Sequence, residues 1–197
     1  MPRIRTTLAA LALLALGGAT VALAEPGGGA ADHRAAGGQG HHGKCDRLAN
    51  ATLRNAAGEK VGRVRMRERG RSGVVLVVAH VHGLAPGFHG FHIHTTGRCD
   101  APTFTTAGGH FNPAGATHNA HAGDLPSLLV SANGRAMLAT ATDRFSLADL
   151  RDADGSAVMV HSGPDNFANI PPRYGTPDQE TLNTGDSGMR VACGVVR

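Results

Sequence analysis

From Leu48 to Val196 the chain falls into short apolar or alternating stretches, each closed by Gly, Asn, Ser or Pro. Leu48–Arg54 runs into a turn at Asn55 to Gly58. Lys60–Arg69 alternates Val61, Arg63, Arg65 and Arg67 with Gly62, Val64 and Met66, and stops at Gly70 to Gly73. Val74–His82 is a Val-rich run closed by Gly83, and Gly87–His94 is another strand candidate. Leu128–Ser131 and Arg135–Thr142 flank Asn133-Gly134, a hairpin signal because both residues tolerate positive φ. Ala157–His161 and Arg190–Val196 complete the set. Eight short strands with frequent turn signals and almost no helical period predict a closed antiparallel barrel or sandwich. One helical turn is expected at Ser146–Arg151. Thr95–Pro126 and Ser162–Gly188 remain without strands, and loops that long in a compact domain usually carry function.

Composition agrees with strands and turns: 28 Gly, and Tyr174 as the single Tyr. The formal net charge is +4. Without Arg3 and Arg5, which lie in a segment expected to be removed, about +2 remains. With no basic stripe interleaved with aromatics, nucleic acid is not expected as a partner.

The first 24 residues read as a secretory signal: Arg3 and Arg5, an apolar run through Leu23, and a small-x-small site at Ala22-Leu23-Ala24 before Glu25. Residues 25–44 are rich in Gly, Ala and His and too poor in apolar side chains to fold, so a disordered leader is expected there. His33, His41 and His42 in it read as a solvated tail, with weak copper capture as the alternative. The folded domain is expected over 45–197. Export to the periplasm, the cell envelope or the medium follows, with no stable membrane insertion after cleavage. An oxidising compartment lets cysteines pair; Cys45, Cys99 and Cys193 leave one over whatever the pairing.

Six of the twelve histidines form a pattern. His92 and His94 are two apart on a predicted strand, so both imidazoles share one face, half of a tetragonal copper site. In the first long loop, His110, His118, His121 and Asp124 offer three imidazoles and a carboxylate, a donor set suited to tetrahedral zinc. His161 ends the strand Ala157–His161 and completes four histidines for copper if the fold brings it to the first pair.

The segments GFHGFHIH, GGHFNP, HAGD, MVHSGPDNF and GDSGMRVACGVV occur in that order and closely resemble the copper/zinc superoxide dismutases, above all the secreted bacterial ones. The resemblance runs from about Leu48 to Val196. It implies an all-β fold, an eight-stranded antiparallel Greek-key β-barrel (an immunoglobulin-like sandwich) with two long functional loops. It implies copper on His92, His94, His110 and His161, and zinc on His110, His118, His121 and Asp124, with His110 shared. It makes Asp165 the carboxylate linking a copper-ligand histidine to a zinc-ligand one, and Arg190 the active-site arginine that attracts a small anion. It pairs Cys99 with Cys193, makes His89 structural, and gives His80 and His82 no ligand role. The implied substrate is superoxide, and monomer and homodimer are both open. Two features depart from the family pattern: only Asn119 and Ala120 separate His118 from His121, and the segment after His161 lacks a Lys-rich guidance pattern, with Arg173 as the one substitute. A copper-storage protein and a copper-only dismutase are the competing readings; the complete ligand set and Arg190 weigh against them.

Overall fold

The computed structural model describes residues 47–70 and 72–197. The proposed signal, the leader, Cys45 and the three leader histidines lie outside the described residues. Eight strands form: β1 (Arg47–Arg54), β2 (Lys60–Glu68), β3 (Val75–Val81), β4 (Gly87–His94), β5 (Asp124–Val130), β6 (Ala136–Thr142), β7 (Ala157–His161) and β8 (Arg190–Val195). They make one antiparallel sheet in the order β5-β4-β7-β8-β1-β2-β3-β6. The sheet curls into a nearly closed barrel. The connections β3→β4 and β6→β7 carry the chain to non-neighbouring strands, the Greek-key pattern.

Period-2 alternation explains the wall. In β2, Val64 and Met66 are buried while Arg63, Arg65 and Arg67 are exposed; in β3, Val75, Val77, Ala79 and Val81 are buried. These inward residues join Leu53, Phe91, Ile93, Leu128, Val158 and Val160 in one core. The Asn133-Gly134 signal is realised as the β5–β6 turn: Gly134 has φ 74°, and Ser131 N donates to Arg135 O over 2.8 Å.

Two strands are buried on both faces. Every residue from His89 to His94 and every residue of β7 is buried. Their inward side chains fill the core. Their outward ones lie under the two long loops. Phe104 and Ala107 of the first loop pack on Ala157, Met159 and Cys193 as a separate apolar cluster. A Cys99–Cys193 disulfide pins that loop to β8.

Three boundaries differ from the sequence expectation. The strand expected at Leu128 begins at Asp124. Pro126 signalled a break, but the β4–β5 register shifts between His89 and Phe91, and at such an irregularity a residue without an N–H is tolerated. The helical turn expected at Ser146–Arg151 is a 3-10 turn at Asp149–Arg151. The second long loop contains a short helix, α1 (Gln179–Thr184), whose first turn is capped by Asp178 accepting from Thr181 N.

Candidate metal centre

The β4 register sets the site. His92 and His94 project outward from one strand, opposite Met159 and Ala157 of β7. His161 ends β7 across from Arg190 of β8, and His110 reaches the cluster through a bridge to His94. The zinc-type donors come from the first loop, and Asp124 is the first residue of β5, paired with His92. Two groups therefore converge: His92, His94, His110 and His161, and His110, His118, His121 and Asp124. Within each, the potential donor atoms lie within 4.8 Å of one another, and all seven side chains are buried. His110 belongs to both.

Hydrogen bonds fix which nitrogen of each ring is free. A carboxylate or carbonyl oxygen only accepts, so the nitrogen facing it carries the proton. His92 Nε2 donates to Asp165 Oδ2 over 2.8 Å, and His118 Nε2 donates to Asp165 Oδ1 over 2.7 Å. His94 Nδ1 donates to Gly108 O over 2.9 Å and His161 Nδ1 to Gly188 O over 3.1 Å. The lone pairs are thereby left on Nδ1 of His92 and on Nε2 of His94 and His161, and Nδ1 is the nitrogen of His118 that remains for a metal. Those are the atoms aimed inward. His94 Nε2 and His161 Nε2 stand 3.3 Å apart with no proton available to share. His92 Nδ1 and His110 Nε2 are buried with no hydrogen-bond partner.

On the other side of the His110 ring, Nδ1 lies 2.9 Å from Asp124 Oδ1 and 3.3 Å from His121 Nδ1. His118 Nδ1 lies 3.1 Å from Asp124 Oδ2 without hydrogen-bond alignment. Facing the carboxylate, His110 Nδ1 carries the proton and donates to Asp124 Oδ1, and a cation bound among these donors would take that proton's place. The donor set fits the two metals: four imidazoles on one side, three imidazoles and a carboxylate on the other.

The protonation pattern follows. Burial lowers His92 to about 4 and His161 to about 3, with neighbouring histidines adding to the shift at His161. Burial likewise puts His94 well below its ordinary value. These rings are neutral at physiological pH, the form that binds metal. At His118 burial opposes the charged form, but Asp124 and Asp165 outweigh it and raise the ring to about 9 in the absence of metal. At Asp124 and Asp165 burial opposes ionisation, and hydrogen bonds from histidines overcome it, so both stay well below the usual carboxylate range.

A funnel of about 520 Å³ opens onto His94, His110 and His161. Arg190 stands in its wall, held by donations to Phe104 O (2.7 Å) and Gly108 O (2.6 Å). Two carbonyls occupy two of its N–H groups, leaving others for an anion. Glu180 of α1 lines the same funnel.

Three further residues escaped the sequence reading. Gly185, at φ 62°, is where a Cβ would collide with the Asp165 carboxylate and the His118 ring. Gly108 O serves both His94 and Arg190. Arg144, just beyond β6, donates to Asn119 O (2.9 Å) and His121 O (3.4 Å), bracing the short spacer between two zinc-type donors. For Gly185 a glycine within a polar loop was the only available signal, and for Arg144 there was none. His89 bridges the carbonyls of His161 and Ala85 at 2.6 and 2.8 Å, a structural tie. His80 and His82 join no cluster among the described residues.

The sequence model of the family described as copper/zinc superoxide dismutase (SODC) matches residues 60–196. The chain belongs to the copper/zinc superoxide dismutase family. Superoxide dismutase (Cu-Zn) of Mycobacterium tuberculosis is 45% identical over 164 residues, covering 74% of this chain and 68% of that protein. Superoxide dismutase (Cu-Zn) 2 of Aquifex aeolicus is 35% identical, covering 77% of this chain and 88% of its own length. Among solved structures, a double mutant of a SOD-like protein from Bacillus subtilis superposes with TM-score 0.64 at 32% identity, covering 74% of this chain and 95% of that one. The dismutase fold and its two cofactors, copper and zinc, are thus those of this chain.

Proposed function

We propose that this Cu/Zn superoxide dismutase works outside the cytoplasm, with His92, His94, His110 and His161 holding copper, and His110, His118, His121 and Asp124 holding zinc. The observation that carries the assignment is His110, one buried ring with a nitrogen in each of two convergent donor groups. When bound, copper supplies the one-electron change of oxidation state and zinc a fixed positive charge.

The chain's own residues do the rest. Arg190, half-buried above His94 and His161, draws superoxide into the funnel and orients it. His110 Nε2 points into the same cluster and is the atom able to hold a proton for the departing peroxide, while Asp124 and His121 keep its Nδ1 side in place. Asp165 couples the two halves, because one carboxylate orients both His92 and His118. Gly108 and Gly188 fix the other two copper-side rings.

Export is supported by the basic, apolar and small-residue order of the first 24 residues. No helix among the described residues is long and apolar enough to cross a membrane. On this reading 1–24 is removed, 25–44 is a leader and 45–197 is the enzyme. The test is superoxide dismutation by metal-loaded protein beside His161→Ala, with the N-terminus of the exported protein read directly. Turnover lost in the variant and a start at Glu25 are expected. Stoichiometric copper without turnover would instead indicate storage or delivery.

A further inference from the structure

Charge is divided unevenly along the chain. Residues 47–82 carry eight Lys or Arg against two Asp or Glu, whereas residues 83–197 carry seven against ten. Strand geometry concentrates the excess. Arg63, Arg65 and Arg67 alternate outward along β2, about 7 Å apart. The register places Thr52, Asn50 and Leu48 of β1 on one side of them and His80, Val78 and Leu76 of β3 on the other. Beyond β3 come Met137, Ala139 and Ala141 of β6. These twelve outward positions include no carboxylate. The remaining acid of β2, Glu68, points inward and accepts from Leu147 N.

The face is also apolar. Leu48 is 65% exposed and Met137 70% exposed, and Leu76 and Val78 are half-buried beside the arginine column. A shallow groove of about 520 Å³ runs among Leu48, Leu76, Val78 and the arginines. The guanidinium groups of Arg63 and Arg65 make no hydrogen bond or ion pair with the described residues. In the ring of eight strands β2 and β3 stand four places from β4 and β7, so this wall is opposite the metal-bearing one.

We propose that the outer face of β1-β2-β3-β6 is a peripheral docking surface for an anionic phospholipid bilayer. Guanidinium groups pair with headgroup phosphates, and Leu48, Leu76, Val78 and Met137 supply apolar contact at the headgroup boundary, where arginine stems also pack. A linear polyanion would use the arginine column but leave those apolar side chains without a role. A second copy seated on the same face would bring two arginine columns together. Docked this way, the enzyme keeps its funnel turned away from the membrane and open to a diffusing substrate. The inference is independent of which ion each histidine group holds.

The test compares the full chain with the triple variant Arg63→Gln, Arg65→Gln, Arg67→Gln, so that any contribution of residues 1–46 is common to both. Co-sedimentation uses vesicles of equal parts phosphatidylglycerol and phosphatidylcholine, at roughly 0.1 M salt where charge pairing persists. The variant should partition about a hundredfold more weakly, since each arginine near an anionic surface contributes roughly fivefold. Its dismutation should be unchanged, because none of the three touches the metal centre. On the unaltered chain, the same vesicles should protect Arg63 and Arg65 from phenylglyoxal, read by mass spectrometry, and leave Arg98 reactive. Equal partitioning of the two proteins overturns the proposal. So does protection by dextran sulfate but not by vesicles, which would make the face a polyanion site, or protection only at self-associating protein concentrations.

Discussion

The two walls of the barrel start from the same rule and end in different chemistry. On β2 and β3 the outward residues meet water, and they are arginine, histidine and half-buried aliphatics. On β4 beyond Phe88 and on β7 the outward residues are covered by the two long loops, and they include His92, His94, Ala157, Met159 and His161. Alternation alone does not decide which wall becomes a site. Burial of the outer face does, because it drops the histidines to their neutral form and takes water away from their lone pairs. The loops act as a second layer, and the Cys99–Cys193 disulfide holds one of them down.

The comparison can be broken most severely at the covered wall. His161→Ala removes a buried ring whose Nε2 faces His94, and dismutation should fall to background, while Arg65→Gln on the open wall leaves it unchanged. Steady-state rates of both loaded variants check this pair.

Acid should separate the walls next. The unfolded chain binds protons at His92 and His161 from pH 6.5 downward, whereas the folded chain resists until about 4 and about 3. Metal-free protein is therefore expected to keep this stability above pH 6.5 and lose it as pH falls from 6.5 to 3, by several kcal/mol in total. His118 has the opposite sign. Its raised value of about 9 contributes stability that is full below pH 6.5 and lost as pH rises through 9. Urea midpoints of the metal-free protein across pH should peak near 6.5.

A smaller effect sharpens the coupling within the covered wall. Asp165→Asn keeps the shape but cannot accept from both His92 and His118, and metal affinity should drop by about 10–100-fold. Loss confined to one metal would show that the link is not shared.

The smallest change concerns the brace. Arg144→Ala frees Asn119 O and His121 O, and cobalt affinity at the zinc-type donors should weaken by a few-fold, on the order of one net hydrogen bond of about 1 kcal/mol. Copper affinity should hold, and Arg144→Lys should recover part of the loss.

Much of this was readable from residue order. Short apolar or alternating stretches closed by turn residues located all eight strands, and the i, i+2 spacing of His92 and His94 predicted a shared face. The proposed ligand roles came through family resemblance, because spacing cannot say that His161 meets His94 across the β4–β7 ladder. What stayed hidden depends on backbone geometry: the carbonyls of Gly108 and Gly188 that orient two rings, the Arg144 brace, and β5 beginning at Asp124 despite Pro126. A main-chain oxygen leaves no mark in a sequence. The open wall shows the converse. The arginine alternation was visible at once, but its meaning needed the register that sets it beside Leu76, Val78 and Ala139, outward positions that carry no carboxylate.

The central claim is that one imidazole serves two donor groups. Equilibrium dialysis of copper and zinc against His110→Ala, His161→Ala and His121→Ala tests it most directly. The account predicts that His110→Ala weakens both metals, that His161→Ala weakens copper alone, and that His121→Ala weakens zinc alone. A His110→Ala protein that loses one metal and retains the other at full affinity would contradict it.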